Sequence, residues 1–166
     1  MNISSMDRVH QIQEHPLFQE LCQKLQNEEK NRVFCRHTME HFLDVARLMY
    51  IYSLEDGADI RKDLIYAAAL LHDLGRYEQS VSGTPHHIAG SQIAGEILED
   101  CSFTADEIQS VQKAISAHRN QASIVSADKL TTYLYRADKA SRSCFACLVR
   151  SACNWPEEKM NLRITY

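Results

Sequence analysis

Apolar residues recur at three- and four-residue steps through most of the chain, the spacing of amphipathic helices. Residues 16–30 place Leu17, Leu21 and Leu25 on one face. Residues 37–54 carry a stronger stripe of Phe42, Val45, Ala46 and Met49, with Gly57 just past the end. Residues 60–73 are almost wholly apolar (Ile60, Leu64, Ile65, Ala67, Ala68, Leu71), which predicts a central, buried helix with Gly75 as its C-cap. Residues 75–85, with Gly83 and Pro85, read as a loop. Further helices are expected over about 87–101 (Ile93, Ala94, Ile97, Leu98), 104–118 (Ile108, Val111, Ile115) and 128–143 (Leu130, Leu134, Ala137). The middle one of these opens on Thr104-Ala105-Asp106-Glu107, a capping-box pattern. No alternating pattern of useful length suggests a strand. The expected fold class is all-α, a bundle of about six or seven helices with an irregular C-terminal tail.

Composition narrows the class of protein. A chain of 166 residues suits one domain. Its core is expected over about 36–142, with a Cys-containing appendage over 143–166. Five Gly and three Pro fit helices joined by short loops. The net charge of −4 argues against a nucleic-acid polymer as partner. No apolar run reaches the length needed to span a bilayer. The first fifteen residues read as carrying no signal peptide, so the expected location is cytoplasmic. The oligomeric state is left open, a homodimer included.

The informative feature is where certain polar side chains fall. His41 shares a helix face with Val45, Leu48 and Tyr52. His72 and Asp73 end the most hydrophobic helix. His118 continues the series Ile108, Val111, Ile115, and Asp138 continues Leu130, Leu134. An inward imidazole or carboxylate without a partner costs about 1–3 kcal/mol, and more if charged. One such residue is usually a satisfied core group. Several on four helices are satisfied together by a shared divalent cation, and His nitrogen with Asp oxygen suits zinc, manganese, iron or nickel.

These residues carry a family resemblance. Glu40-His41-Phe42-Leu43-Asp44-Val45-Ala46 resembles the first motif of HD-domain phosphohydrolases, a His followed four residues later by Val-Ala. His72-Asp73-Leu74-Gly75-Arg76 is similar to their central His-Asp doublet, and Tyr135-Arg136-Ala137-Asp138 to the motif with the final Asp. The resemblance spans roughly residues 36–142. It implies that His41, His72, Asp73 and Asp138 bind one metal ion. It further implies a second ion on His86 and His118, with Asp73 bridging the two; His87 rivals its neighbour His86. The ions would be divalent, drawn from Fe, Mn, Zn, Ni, Co or Mg.

The implied activity is hydrolysis of a phosphate ester or phosphoanhydride in a small phosphorylated molecule, a nucleotide above all, by metal-activated water. Asp73 would orient the nucleophile, and Arg76 would contact phosphate, with Arg119 and Lys139 as lesser candidates. His37, one turn before His41, reads either as a contact to a ligand or to substrate, or as a plain helix-start residue. Two alternatives share the same ligands: an HD-type di-iron oxygenase, and a non-catalytic nucleotide-binding regulatory module.

Six cysteines in a chain read as lacking an export signal suggest thiols or metal ligands rather than disulfides. Cys144, Cys147 and Cys153 form a C-x2-C-x5-C array, for which Cys35 is a candidate fourth ligand. That set would suit a structural zinc or an iron–sulfur cluster; the alternative is reduced thiols. Cys22 and Cys101 read as core residues, and Trp155 is expected to pack against the helices.

Overall fold

The computed structural model describes residues 5–121 and 128–166. The first four residues, part of the stretch read as carrying no signal peptide, lie outside these. Among the described residues there are eight α-helices and no strand. They are α1 (Ser5–Glu14), α2 (Pro16–Glu28), α3 (Met39–Glu55), α4 (Lys62–Leu71), α5 (Arg76–Ser82), α6 (His86–Asp100), α7 (Ala105–Ala117) and α8 (Lys129–Ala140). No helix is long and apolar enough to cross a membrane among these residues.

The all-α expectation holds, and α4 is the hub. It packs against α1, α3, α6, α7 and α8. The run Ala67-Ala68-Ala69 lets neighbours approach on several sides, and Ile65 and Leu71 are fully buried. Burial of each such branched side chain contributes about 1.5–3 kcal/mol. Several helix starts are fixed by local chemistry. Thr38 caps α3, Asp128 caps α8, and Thr104 and Glu107 form the expected capping box on α7. Gly57 takes a positive φ of 58° just beyond α3, as its position suggested.

Two helices depart from the sequence reading. α1 went unread because Val9 and Ile12 are its only strong apolar pair; both are buried, and α1 lies on α4. α5 occupies most of the expected loop. It has no buried residue, so it lacks the stripe that reveals a helix. Gly75 is accordingly not a left-handed cap of the preceding helix. Its φ is −69°, and it serves as the N-cap of α5. What it provides is closeness: a Cβ there would lie 2.1 Å from the His86 carbonyl oxygen and 2.4 Å from the Gly90 nitrogen. The turn after α4 therefore packs backbone to backbone against α6.

On the side away from the histidines, Arg8 of α1 holds α4 and α7. Its guanidinium bonds Asp63, with Nε to Oδ2 at 2.8 Å, and its Nη1 bonds Glu107 at 2.8 Å. Arg61 reaches the same two carboxylates, at 2.8 and 2.6 Å. Asp63 is fully buried, so these paired cations offset the cost of its charge. The tail is irregular as expected, with three short 3₁₀ turns, and Trp155 within it is half-buried.

Candidate metal centre

Five helices bring one end to a common point. His41 lies in the first turn of α3 and His86 in the first turn of α6. His72 and His118 cap the C-termini of α4 and α7, Asp73 follows His72, and Asp138 sits near the end of α8. Helix N-termini (α3, α6) and C-termini (α4, α7, α8) meet here together, so their dipoles offset and the affinity for a cation rests on the side chains.

The donor atoms form two groups that share one residue. His41, His72, Asp73 and Asp138 each offer an atom within 4.8 Å of the others, and so do Asp73, His86 and His118. The two oxygens of Asp73 face different groups. Oδ2 lies 3.1 Å from His72 Nε2 and 3.8 Å from His41 Nε2. Oδ1 lies 3.5 Å from His86 Nε2 and 3.7 Å from His118 Nε2. Asp138 Oδ1 completes the first group, 3.4 Å from His41 Nε2 and 3.7 Å from His72 Nε2.

Every imidazole is anchored through Nδ1, which leaves Nε2 for the pocket. His72 donates to the Ala69 carbonyl at 2.7 Å, and His118 repeats this contact with Ile115 at 2.5 Å. His86 donates to Gln79 Oε1 at 2.7 Å. His41 meets Ser141 Oγ at 3.1 Å, and the Ser141 hydroxyl itself donates to the Asp138 carbonyl. A partner on the outer nitrogen fixes tautomer and ring plane, as metal-binding histidines require.

The pocket side of His72, Asp73 and His86 lacks protein partners. His72 Nε2, His86 Nε2 and both Asp73 oxygens are buried without a hydrogen bond. Leaving that many polar atoms unmet costs several times about 1–3 kcal/mol, and one or two divalent ions would meet them all. Charge tells the same story. Burial opposes ionisation of Asp73, but His72 and Arg76 outweigh it and hold the carboxyl well below its usual range. Burial likewise disfavours a cationic His72, yet Asp73 and Asp138 push its pKa up to about 10: the carboxylates demand positive charge between them. Burial, then Arg76, takes His86 down to about 3, so its imidazole is neutral with a free lone pair. The residues present fit a pair of divalent ions.

The remaining candidates surround this pocket at different distances. Arg76 Nε lies 2.9 Å from Asp73 Oδ1, although its N–H is not aligned for a hydrogen bond. Lys139 donates to Asp138 Oδ2 at 2.9 Å and to the His118 carbonyl at 3.0 Å, so it steadies two of the converging ends. His37 is buried, with Nε2 3.7 Å from Asp73 Oδ2 and Nδ1 2.5 Å from Glu29 Oε1. His87 is half-buried and belongs to neither donor group, whereas His86 belongs to one. Arg119 is exposed. Glu29, Gln79, Ser141 and Arg142 were not singled out from the sequence. Each is an ordinary polar residue in its own segment, and only the fold brings it to a histidine.

The proposed cysteine site does not assemble. Cys35, Cys144, Cys147 and Cys153 are free thiols and form no group of three within metal-binding reach. Cys144 is buried while Cys35 is exposed, and Cys153 Sγ accepts a hydrogen bond from the Trp155 backbone. Convergence of His41 and Asp138 does not carry their flanking cysteines together six residues away.

An uncharacterized protein from Clostridium beijerinckii (strain ATCC 51743 / NCIMB 8052) is 41% identical over 138 residues, covering 83% of this chain and 85% of that one. The crystal structure of a predicted HD superfamily hydrolase from an uncultured Thermotogales bacterium superposes with a TM-score of 0.64 at 20% identity. That match covers 86% of this chain and 78% of the other, and it speaks to the fold. The family model described as HD domain matches residues 38–143, the stretch that holds His41, the His72-Asp73 pair, His86, His118 and Asp138. On that match this chain belongs to the HD-domain family.

Proposed function

We propose that this protein is a metal-dependent phosphohydrolase with a two-ion site, cleaving a phosphate ester or phosphoanhydride of a small phosphorylated molecule. Nucleotides are the substrate class to which the family resemblance points. The observation that carries the proposal is Asp73, whose two oxygens face two separate donor groups. A bridging carboxylate of this kind suits two ions held a few ångströms apart, the arrangement used for in-line displacement at phosphorus. That the Thermotogales protein is a predicted HD superfamily hydrolase agrees with a hydrolytic reaction.

His41, His72 and Asp138 would hold one ion with Asp73 Oδ2, and His86 and His118 the other with Oδ1. Such ions supply Lewis acidity and a low-pKa water when bound. The chain's own groups do the rest. The Nδ1 anchors fix the ring planes, so the donors need no reorganisation during reaction. Arg76 lies beside Asp73 with donors for a phosphoryl oxygen. Lys139 holds Asp138 and adds positive charge at the same rim, and His87 and Arg119 are outer candidates for substrate contact. His37 presents a nitrogen near Asp73 that can accept a hydrogen bond from an attacking water.

Anaerobic purification with elemental analysis, followed by a phosphate-release screen across nucleotides, tests the proposal. The expected result is about two divalent ions per chain and release of phosphate from at least one nucleotide. Asp73→Asn should lose both. Full metal content and full turnover in Asp73→Asn would overturn the reading.

A further inference from the structure

The C-terminal tail lies beyond the family match, yet it is bonded to the end of α8, where Asp138, Ser141 and Arg142 meet the site. The last carbonyls of a helix have no partner within it. Here Asn161 supplies one. Its side-chain amide donates to the Lys139 carbonyl at 2.7 Å and to the Arg142 carbonyl at 2.8 Å, and its backbone carbonyl accepts from the Phe145 N–H at 2.9 Å. Those contacts fix the backbone from which Ser141 and Arg142 project.

These two consecutive residues hold both nitrogens of His41. Ser141 Oγ meets Nδ1 at 3.1 Å, and Arg142 Nη2 meets Nε2 at 3.3 Å. Arg142 Nη1 also donates to the Arg36 carbonyl at 3.1 Å, just before α3. Because Ser141 donates to Asp138, it accepts from His41 Nδ1, and His41 Nε2 carries the lone pair. A metal ion and a guanidinium cannot share that lone pair. With His41 Nε2 engaged by an ion, Arg142 Nη2 would be free for another acceptor, while Nη1 would keep its bond to the Arg36 carbonyl. A half-tethered guanidinium beside a metal site suits the fork-like recognition of a phosphoryl group.

We infer that Arg142 anchors the anionic group of the substrate at this site, and that Asn161 is the positioning residue that sets it there. The inference rests on the phosphohydrolase reading above. It makes the tail part of the binding apparatus of this chain.

The test uses the metal-loaded full chain and inorganic phosphate as probe, with binding followed by calorimetry and metal content measured in each variant. Arg142→Ala should weaken phosphate about tenfold or more, the scale of a lost charged hydrogen bond, at unchanged metal content. Arg142→Lys should restore part of the loss, since it keeps charge without the fork. Asn161→Asp, which loses both donors, should weaken phosphate less than Arg142→Ala does, and the double variant should match Arg142→Ala alone. Tyr166→Phe, a tail change outside this network, should bind like wild type. Wild-type affinity in Arg142→Ala would overturn the anchoring role. Losses in Asn161→Asp and Arg142→Ala that multiply would show Asn161 to be merely structural and overturn the positioning role. A wild type that binds no phosphate would overturn the phosphohydrolase reading and Arg142's ligand together, a result distinct from binding that is insensitive to Arg142.

Discussion

Gln79 holds His86 at two points: its side-chain carbonyl accepts from the His86 backbone N–H at 2.9 Å and from Nδ1 at 2.7 Å. His87, next in the chain, has no such grip and belongs to neither donor group. Gln79→Ala should therefore weaken the second ion about 10–100-fold, the usual cost of removing a partner behind a metal-binding histidine, and leave the first ion in place. A metal titration followed by elemental analysis checks this. Equal loss of both ions would contradict it.

Gln79 also shows where sequence reading stops. His41, His72, Asp73, His118 and Asp138 were legible because each falls on or ends an apolar series at helical spacing, and a polar group there demands explanation; His86 has no such series and entered only through the family resemblance. Their partners obey no such rule. Gln79 lies on α5, a seven-residue helix with no buried face, so neither the helix nor its role leaves a periodic signal. Ser141 and Arg142 likewise gain their meaning from His41, a hundred residues earlier. The cysteines mark the opposite error: a suggestive C-x2-C spacing, but no convergence of thiols. Spacing along one helix is local physics, whereas the meeting of distant segments is decided by packing.

Glu29 grips His37 as Gln79 grips His86, accepting from its backbone N–H at 2.6 Å and meeting Nδ1 at 2.5 Å. His37 belongs to neither donor group, although Nε2 lies only 3.7 Å from Asp73. His37→Ala should keep the metal content and lower turnover about 10–100-fold. Glu29→Gln, which retains one acceptor, should have a smaller effect in the same direction. Elemental analysis beside steady-state kinetics separates this from a ligand role, for which the metal would be lost as well.

Gly75→Ala should harm folding and the second metal group together. The new Cβ would meet the His86 carbonyl oxygen and the Gly90 nitrogen, both backbone atoms that cannot turn aside. Overpacking of this kind costs about 1–3 kcal/mol or more, which lowers the melting temperature of a chain this size by about 2–4 °C per kcal/mol. The strain falls where α6 begins, so His86 would shift with it. Gly57→Ala tests the contrast, because open space surrounds that position and only the positive φ resists the change. It should melt closer to wild type and keep both ions.

The Arg8 network links stability to pH through Glu107. Its hydrogen bond from Arg8, aided by the Thr104 N–H and opposed by burial, takes the carboxyl from 4.5 down to about 2. A carboxyl depressed in the folded state binds protons more readily when unfolded. Its stabilising contribution is thus complete above pH 4.5 and is lost as pH falls towards 2. Glu107→Gln removes that titration but leaves Arg8 its bond to Asp63. At neutral pH the variant should be less stable than wild type, and the gap should close as pH falls through this window. The pocket ligands titrate in both proteins, so the difference between their denaturant-unfolding free energies isolates Glu107. A gap that stayed constant from pH 5 to pH 2 would show that the Arg8–Glu107 contact acts by packing and not by charge.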